Sequence, residues 1–274
     1  MPTERTVRVL RRLVTPWARL MHRPTLAGIE NLPADGAYLL VSNHSGGFAA
    51  SELLSLAALW LERFGVGRRL AGLAHPFGFN FWPIAPMLRG LGAVPSTYEV
   101  AAKVLGEGIP IVIFPGGDLE ATRPVWQAHR VDFGGRRGFL RIARAAGVPI
   151  VPMGIRGSHF SVPILWRSRH ILPWLFVVPR LYGIKRFPLT LLGLAGAVVI
   201  VLLTAGLPWP LRLALAWALF VTPIPFLPWV PSTIRMRIGE PIAAEELFPA
   251  GRGDEALADA YARVVGAVQR LVDP

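Results

Sequence analysis

From residue 37 onward, short apolar runs alternate with segments whose apolar residues recur at helical spacing. The runs predict strands near residues 37–42, 69–74, 109–114, 149–153 and 233–238, and the periodic segments predict helices near 50–63, 97–106, 136–146 and 254–271. Strands that alternate with helices indicate an α/β fold with a mixed, largely parallel sheet flanked by helices. The 274 residues are enough for one large domain with appendages.

The amino-terminal segment predicts an amphipathic basic helix. Between residues 5 and 21, apolar side chains that include Trp17 recur on one face, and arginines occupy the other. Such a helix either lies in a membrane interface or packs on the core of its own chain. We therefore expect an N-terminal helix at 1–27, a main domain at 28–241 and a C-terminal helix at 242–274.

Residues 187–230 are the most apolar part of the chain, and we expect them to form a membrane-embedded hairpin. Residues 187–207 carry no charge, a length close to the roughly 20 residues of a membrane-spanning helix. Prolines at 223, 225 and 228 interrupt the second half, which suits a re-entrant or interfacial hairpin better than a second span. The alternative is a helix pair buried in the core.

Positive charges flank this hairpin on both sides. Lys185 and Arg186 precede it, and Arg235 and Arg237 follow it, so the positive-inside rule predicts that both flanks lie in the cytoplasm. The amino terminus also lacks the apolar core of a signal peptide. We therefore expect the protein at the cell membrane, with its main domain on the cytoplasmic side.

Composition and charge indicate which kinds of molecule the protein binds. Apolar residues make up 53% of the chain and charged residues 17%, against about 25% charged in a typical soluble domain. The net charge of +12 arises within residues 133–239, which hold thirteen Arg or Lys and no Asp or Glu. Such a basic field attracts phosphate groups. Because the same region contains the apolar hairpin, we expect a membrane with anionic lipids as the partner, and no nucleic acid.

The absence of certain residues excludes several chemistries. The sequence has no cysteine, which removes disulfides, thiolate nucleophiles and cysteine-bound zinc. It also has no G-x-S-x-G nucleophile elbow and no cluster of metal ligands in its pattern. We therefore expect neither hydrolase-type covalent catalysis nor a metal.

Residues that can transfer a proton or bind an anion follow two of the predicted strands. In VSNHSGGFAASE, residues 41–52, His44 comes directly after an apolar run, and Glu52 is the first carboxylate behind it. In IVIFPGGDLEATR, residues 111–123, a buried strand ends in two glycines, whose backbone can approach a phosphate or a developing oxyanion closely. Arg136 and Arg137 open a helix and are candidates for holding a phosphate. His159 is either a histidine of a surface loop, which is the default expectation, or a member of the same cleft.

Four blocks in a fixed order produce a family resemblance. They are Asn-His after the first strand, Phe-Pro-Gly-Gly with a nearby glutamate, Arg-Arg-Gly-Phe opening a helix, and Val-Pro-Ile-Val-Pro on the next strand. Together they resemble the glycerolipid acyltransferase superfamily typified by lysophosphatidic-acid acyltransferases, over about residues 28–241. The Pro-Gly-Gly form is most similar to the branch related to diacylglycerol acyltransferases.

The resemblance implies a membrane-associated O-acyltransferase. Such an enzyme moves a fatty acyl group from acyl-CoA or acyl-carrier protein, its co-substrate, to a lysophospholipid or glycerolipid hydroxyl, and it needs no other cofactor. The resemblance also implies that His44 is the general base. The candidate substrate-binding residues are Asn43, Pro115, Gly116, Gly117, Glu120, Arg123, Arg136 and Arg137.

The chain departs from the family pattern at three places. The usual aspartate five residues after the histidine is Ala49, the usual Glu-Gly-Thr-Arg is Gly-Gly-Asp-Leu, and residues 91–100 lack an arginine that often binds a glycerol phosphate. The last departure weighs against a phosphate-bearing acceptor. Gly46 and Gly47 favour a turn, after which a helix starting near Glu52 points its carboxylate back at His44. We therefore predict Glu52 as the acid partner of His44.

The predicted pair suits acyl transfer from a thioester. Since a thioester is already activated, the protein mainly has to accept a proton as the alcohol attacks, and a neutral imidazole can do so. A carboxylate behind the ring fixes its tautomer. Two alternatives stay open: an acyltransferase for a neutral or non-glycerol alcohol that makes a storage lipid or wax-like ester, and a catalytically silent lipid-binding homologue.

Overall fold

The computed structural model describes residues 4–49, 51–80, 84–176, 186–252 and 255–273. The strands are β1 (Thr25–Ala27), β2 (Leu39–Ser42), β3 (Ala71–Ala74), β4 (Ala93–Pro95), β5 (Ile111–Ile113), β6 (Ile150–Arg156), β7 (Ile164–Ser168), β8 (Phe187–Thr190) and β9 (Arg235–Ile238). The α-helices are α1 (Glu4–His22), α2 (Ser51–Phe64), α3 (Ile84–Gly90), α4 (Tyr98–Gly106), α5 (Gly117–Ala121), α6 (Gly138–Ala146), α7 (Ile171–Phe176), α8 (Leu191–Leu203), α9 (Trp209–Phe220), α10 (Ala244–Leu247) and α11 (Glu255–Val272).

Seven strands form the main sheet in the order β1-β9-β6-β2-β5-β3-β4. The five strands from β6 to β4 are mutually parallel, β9 pairs antiparallel with β6, and β1 pairs parallel with β9. Strands β7 and β8 form a separate antiparallel pair. The predicted mixed, largely parallel sheet flanked by helices is therefore confirmed.

Helices cover both faces of the main sheet, because alternate residues of each central strand point to opposite sides. In β2, Leu39 and Val41 pack with apolar residues of α4, α6 and α11. Tyr38 and Leu40 point to the other face, where Leu56 and Trp60 of α2 pack. Helix α1 lies against α2. Burial on both faces explains why these strands are continuous apolar runs in the sequence.

The sheet positions the site through the register of its central strands. Leu39 pairs with Ile111 and Val41 with Ile113, so β2 and β5 end at the same level. Strand β6 borders β2 on the other side and pairs Ser42 with Met153. The loops that follow these strands therefore meet at the carboxyl edge of the sheet, where open α/β sheets bind their ligands.

The structure agrees with most of the predicted elements and adds several. All five predicted strands and the four helices predicted near 50–63, 97–106, 136–146 and 254–271 occur within a few residues of their expected positions. Strands β1, β4, β7 and β8, which are three to five residues long, were not predicted. Strand β1 lies inside the predicted N-terminal segment, and α1 leaves Leu13 and Leu20 exposed although it packs on α2.

The apolar segment folds differently from a single uncharged span. Strand β8 takes its first residues, and the two apolar helices α8 and α9 follow, packed against each other. Within the described ranges, no helix is both long and apolar enough to cross a membrane. Lys185, one of the predicted flanking charges, lies outside the described residues. Membrane embedding of residues 187–230 stays a prediction, as do the three domain boundaries.

A glycine in β6 allows the C-terminal helix to approach the sheet. A Cβ atom at Gly154 would lie 2.5 Å from the Cβ of Leu271 and 2.6 Å from its carbonyl carbon. We expect Gly154→Ala to push α11 outward and lower the free energy of unfolding by about 1–3 kcal/mol. Denaturant unfolding followed by circular dichroism measures this change.

Gly72→Ala is the matched control for this substitution. Gly72 lies in β3 of the same sheet, and a Cβ there would meet its nearest neighbour, Val112, at an ordinary 3.8 Å. We expect a change in stability of well under 1 kcal/mol for the control. Equal destabilisation by the two substitutions would contradict the close approach of α11 at Gly154.

Candidate active site

The chain directly after β2 is fixed by Asn43. Its side-chain amide donates to the carbonyl of Ile155 and its oxygen accepts the N–H of the same residue, both at 2.8 Å. Asn43 is buried, so this amide ties the end of β2 to β6 and does not face the cleft. The contact holds the next residue, His44, at the carboxyl edge of the sheet.

The residues after His44 form the turn that the two glycines predicted. Gly46 and Gly47 have φ values of 92° and 65°, in the left-handed region that glycine adopts without steric cost. A 3₁₀ turn at Gly47–Ala49 follows, and α2 begins at Ser51. Glu52 therefore lies in the first turn of α2, with its carboxylate directed back toward the start of the loop.

The structure brings His44 and Glu52 together. His44 Nδ1 lies 2.5 Å from Glu52 Oε1, and the same oxygen accepts the N–H of Ser45 at 2.9 Å. Glu52 is fully buried, whereas the imidazole keeps 16% of its surface exposed. A carboxylate on Nδ1 leaves Nε2 as the nitrogen that can exchange a proton with a substrate.

The electrostatics of this pair favour a protonated imidazole. Burial on its own lowers the pKa of His44, but the negative charge of Glu52 and its hydrogen bond raise it more, with smaller contributions from Glu120 and Asp118. The net result is a pKa above the ordinary value of histidine. The same charge that raises the pKa would stabilise an imidazolium formed during a reaction.

Gly46 makes room for the longer side chain of a glutamate. A Cβ at this position would lie 2.3 Å from Glu52 Oε2 and 2.7 Å from Ser51 Oγ. Glu52 Oε2 itself is buried and has no hydrogen-bond partner in the described part of the chain. The glycine is therefore part of the geometry that lets a carboxylate eight residues after His44 reach the ring.

Four buried serines connect the His44 turn to the loop after β6. Ser45 Oγ contacts Ser158 Oγ, and Ser51 Oγ lies 2.7 Å from Ser161 Oγ. Ser161 Oγ in turn donates to the carbonyl of Ser158. Sequence analysis missed this network, although the serines lie in the loops after two strands that the structure shows to be adjacent. The network braces both ends of the His44 turn.

Glu120 holds the Pro-Gly-Gly loop against His44. Its Oε2 accepts the N–H of His44 at 2.9 Å, and its Oε1 accepts the N–H of Asp132 at 2.8 Å. Burial raises the pKa of Glu120 to about 7, although the two N–H bonds and Arg123 oppose this shift. Arg123 is also buried and lies 3.4 Å from Glu120. Both residues therefore support the loop from below, and neither side chain faces the cleft.

Glycine is required at Gly116 for the same reason as at Gly46. A Cβ on Gly116 would lie 2.1 Å from Glu120 Oε2. The next residue, Gly117, donates its N–H to the carbonyl of Phe114 at 3.0 Å, so this N–H closes a turn and does not point at a substrate. The expectation that the loop binds an anion therefore depends on side chains.

Arginines supply positive charge around the Pro-Gly-Gly loop. Arg136 donates to the carbonyls of Gly116 at 2.8 Å and Pro115 at 3.2 Å, and it pairs with Asp118 at 2.7 Å. Arg186 also contacts Asp118, so two guanidinium groups surround one carboxylate. Arg137 is exposed and forms no ion pair among the described residues. It is the predicted arginine that is open to an anionic ligand.

The other predicted histidine has no accessible role. His159 is buried, and its Nε2 has no hydrogen-bond partner within the ranges that the structure describes. Burial, reinforced by the charge of Arg123, lowers the pKa of His159 to about 3, so the ring is neutral. No group of three or more His, Asp or Glu side chains in the described ranges could hold a metal ion.

An apolar cavity adjoins the site. It lies between α2 and the strands β3 and β4, and its lining includes Leu56, Trp60, Leu73, Leu91 and Phe114. The ring of Phe114 also lies 5.1 Å from the imidazole of His44, measured between ring centroids. The cavity therefore extends from beside the histidine into the protein. Sequence analysis missed it because the lining residues are ordinary core residues of separate elements.

Comparisons with known proteins identify the family. Residues 23–156 match the model of the acyltransferase family. An uncharacterized protein of Mycobacterium bovis is 31% identical over 194 residues, which cover 70% of this chain and 52% of that protein. The human "DGAT1/2-independent enzyme synthesizing storage lipids" is 27% identical over 159 residues, which cover 58% of this chain and 47% of the enzyme.

A solved structure supports the same conclusion at the level of the fold. The crystal structure of the 1-acyl-sn-glycerophosphate acyltransferase PlsC from Thermotoga maritima superposes with a TM-score of 0.52 at 17% identity, over 98% of this chain and 81% of that one. Residues 23–156 match the acyltransferase family, and together with the relatives and the shared fold this match supports the glycerolipid acyltransferase superfamily that the sequence motifs predicted. It spans about half the length of the curated relatives it matches.

The close contact between Gly46 and Glu52 generates a test of the pair. We expect Gly46→Ala to displace the Glu52 carboxylate, because the new Cβ would lie 2.3 Å from Oε2. Loss of the charge beside the ring would lower the pKa of His44, and an NMR titration of its imidazole measures that pKa.

Gly36→Ala separates this effect from backbone strain. Gly36 also has a positive φ, 82°, but a Cβ there would meet no atom within 4 Å. Either substitution should destabilise the protein by about 1–2 kcal/mol, because alanine disfavours a left-handed backbone. Only Gly46→Ala is expected to change the pKa of His44. An unchanged titration in Gly46→Ala would refute the steric role of Gly46.

Proposed function

We propose that this protein is a membrane-associated O-acyltransferase that transfers a fatty acyl group from acyl-CoA or acyl-carrier protein to a glycerolipid hydroxyl. The observation that carries the proposal is the His44–Glu52 pair, 2.5 Å apart, at the carboxyl edge of an acyltransferase domain. His44 is the general base, and Glu52 positions it. The proposal needs no metal and no cofactor beyond the acyl donor.

The reaction follows from the chemistry of a thioester and an alcohol. The alcohol oxygen attacks the thioester carbonyl carbon while Nε2 of His44 accepts the hydroxyl proton. The Glu52 carboxylate stabilises the resulting imidazolium. The tetrahedral intermediate then collapses, the carbon–sulfur bond breaks, and the imidazolium returns the proton to the leaving thiolate. No bond to the protein forms at any step.

Two features support a fatty acyl donor. The apolar cavity begins at Phe114, beside the imidazole of His44, and an acyl chain there would hold its thioester carbon near Nε2. The basic side chains of Arg136 and Arg186 pair with Asp118 beside the Pro-Gly-Gly loop, and Arg137 directly precedes α6. They suit the phosphates of coenzyme A or of an acyl-carrier prosthetic group.

The acceptor is either a lysophospholipid or a neutral lipid alcohol. The fold shared with PlsC is compatible with the first. Two observations favour the second: residues 91–100 lack an arginine for a glycerol phosphate, and the human relative is an enzyme synthesizing storage lipids. A neutral acceptor, giving a storage lipid or wax-like ester, is therefore the second candidate.

The geometry weighs against a catalytically silent homologue. A chain that had lost its acid partner would leave the histidine unpaired, whereas Glu52 reaches His44 from a different position in the sequence. We further propose that the enzyme works at the cytoplasmic side of the cell membrane on anionic lipid surfaces. The basic flanks and the apolar segment at residues 187–230 support this location.

The roles of His44 and Glu52 predict distinct kinetic results. We expect His44→Ala to abolish transfer, because no other base accepts the hydroxyl proton. Glu52→Gln should lower turnover at least about tenfold, or about 1.4 kcal/mol. The assay uses purified protein, labelled acyl-CoA, and a panel of lysolipids, mono- and diacylglycerols and simple alcohols.

The pH profile checks that Glu52 acts through the imidazole. Turnover requires neutral His44, so it falls as the pH drops below the raised pKa of His44. Glu52→Gln removes the charge that raises this pKa, and the acidic limb should move to lower pH. Near-normal activity of Glu52→Gln would refute the pairing, and activity in a folded His44→Ala protein would refute the proposed function.

The apolar cavity predicts acyl-chain selectivity. Ala57 lines the cavity from α2, so Ala57→Phe should shorten the space and shift the preferred donor toward shorter acyl chains. Leu59→Phe adds the same ring two residues further along α2, outside the cavity lining, and should leave the preference unchanged. Transfer assays with acyl donors of graded chain length measure the preference of each variant. The same shift in preference in both variants would exclude the cavity as the acyl site.

A further inference from the structure

Helices α7, α8 and α9 present a continuous apolar face to the outside. On α8 the exposed side chains follow the whole length of the helix: Leu191, Leu194, Val198, Val199, Leu202 and Leu203. On α7, Ile171, Trp174 and Leu175 are exposed, and α9 joins this face because Trp217 Nε1 donates to the carbonyl of Leu175 at 2.8 Å. A surface this large and apolar marks an interaction site.

Polar side chains within residues 187–230 bond to backbone carbonyls of the same segment. The hydrogen bonds run from Thr190 Oγ1 to the carbonyl of Pro225, from Thr204 Oγ1 to Ile200, from Thr222 Oγ1 to Leu219, and from Trp229 Nε1 to Ile224, at 2.6–2.9 Å. On a surface exposed to water such internal pairing is unnecessary. In lipid it is required, because no solvent is present to take up the bonds. The pairing therefore leaves these groups satisfied if the surface lies in a lipid bilayer.

Arg212 determines how this surface can sit in a bilayer. It is the only charged residue between 187 and 234, and it lies in the first turns of α9, near the loop that joins α8 to α9. Its Nε and Nη2 donate to the carbonyl of Val201 at 3.0 and 2.7 Å. No carboxylate of the described ranges pairs with it.

A tip-first insertion would place this arginine deep in the hydrocarbon. Helix α8 has 13 residues and is therefore about 20 Å long at 1.5 Å per residue. A charge at such a depth is costly. If the helices lie flat, Arg212 stays at the level of the lipid phosphates, which guanidinium groups bind well. The exposed stripe along all of α8 also fits the flat arrangement.

Phenylalanines connect this face to the His44 turn. Phe48, four residues after His44, lies 5.5 Å from Phe226 and 6.4 Å from Phe187 between ring centroids. Phe187 and Phe226 are themselves 5.1 Å apart. Phe187 begins β8, and Phe226 follows α9, so both lie at the base of the helix pair. Phe48 remains 41% exposed, and it is therefore the part of the turn nearest to this apolar face.

We propose that α7, α8 and α9 form a docking surface that lies flat in the interface of an anionic bilayer, with Arg212 on the lipid phosphates and Phe48 at the lipid boundary. The inference rests on the proposed function in one respect only: it gives the lipid acceptor a direct path from the bilayer to His44. The binding itself does not depend on catalysis.

Because the sequence has no cysteine, a single introduced cysteine can be labelled specifically to measure how deeply its position enters the bilayer. Single cysteines replace Phe48, Leu194 and Leu202, and Asp259 on α11 as a control, and each carries an environment-sensitive fluorophore. The labelled proteins are mixed with vesicles of phosphatidylcholine and phosphatidylglycerol whose acyl chains carry a quencher at a shallow or a deep position. Flotation of the vesicles and transfer activity are measured in parallel.

Flat docking predicts that the labels at 48, 194 and 202 enter an apolar environment with similar, shallow quenching, and that the label at 259 stays in water. Deeper quenching at 202 than at 194 would overturn the flat arrangement in favour of tip-first insertion. Labels already shielded without vesicles, in a protein that sediments as a dimer, would assign the face to a second copy. Because flotation needs no turnover, an inactive protein that still docks would refute only the proposed function.

Arg212 gives a second, independent readout. Arg212→Gln should weaken binding to anionic vesicles about fivefold, the contribution of one basic side chain near a charged surface, and leave binding to pure phosphatidylcholine unchanged. Arg263→Gln removes an equally positive side chain from α11, where it pairs with Glu246, and should change neither. Equal effects of the two substitutions would refute phosphate contact by Arg212.

Discussion

The buried hydrogen bond between Glu52 and Nδ1 of His44 is the interaction on which the rest of the site depends. A carboxylate with no solvent exposure is costly unless it is paired, so every element around it has to supply a partner or make room. Ser45 supplies an N–H to the same oxygen, and the serines behind the turn hold that backbone in place. The geometry of the imidazole is therefore set by the packing of several loops.

A second buried carboxylate, in the short helix after the neighbouring strand β5, also holds His44. Glu120 accepts the backbone N–H of His44, just as Glu52 holds its ring. Each carboxylate lies against a glycine, Gly46 for Glu52 and Gly116 for Glu120, where a Cβ would come within 2.3 Å of a carboxylate oxygen. The glycines of the two motifs thus serve the same purpose, which is to let a buried acid approach the backbone. The Pro-Gly-Gly loop consequently supports His44 and does not use its Gly117 N–H for a ligand.

Ala49 stands where the family pattern has an aspartate, and the carboxylate that meets the His44 ring comes from another position in the sequence. The imidazole needs one carboxylate on Nδ1, whichever residue supplies it. A glutamate in the first turn of α2 does this because the glycine turn reverses the chain between His44 and the helix. The apolar cavity reaches the pair at Phe114, beside the imidazole, and Phe48 of the same turn contacts the phenylalanines at the base of the exposed helices.

The sequence alone determined the α/β class, the five central strands, four of the helices, the resemblance to the acyltransferase superfamily and the contact between Glu52 and His44. These follow from local signals: periodicity, glycine turns and the order of motifs. It did not reveal that Asn43, Glu120 and Arg123 are turned inward, that four serines brace the turn, or that Phe114 opens a cavity. Those features depend on which strands become neighbours, and strand order is decided by packing between residues far apart in the chain. Only the tertiary structure brings β2, β5 and β6 side by side, and it alone divides the apolar segment into β8, α8 and α9 with one face left uncovered.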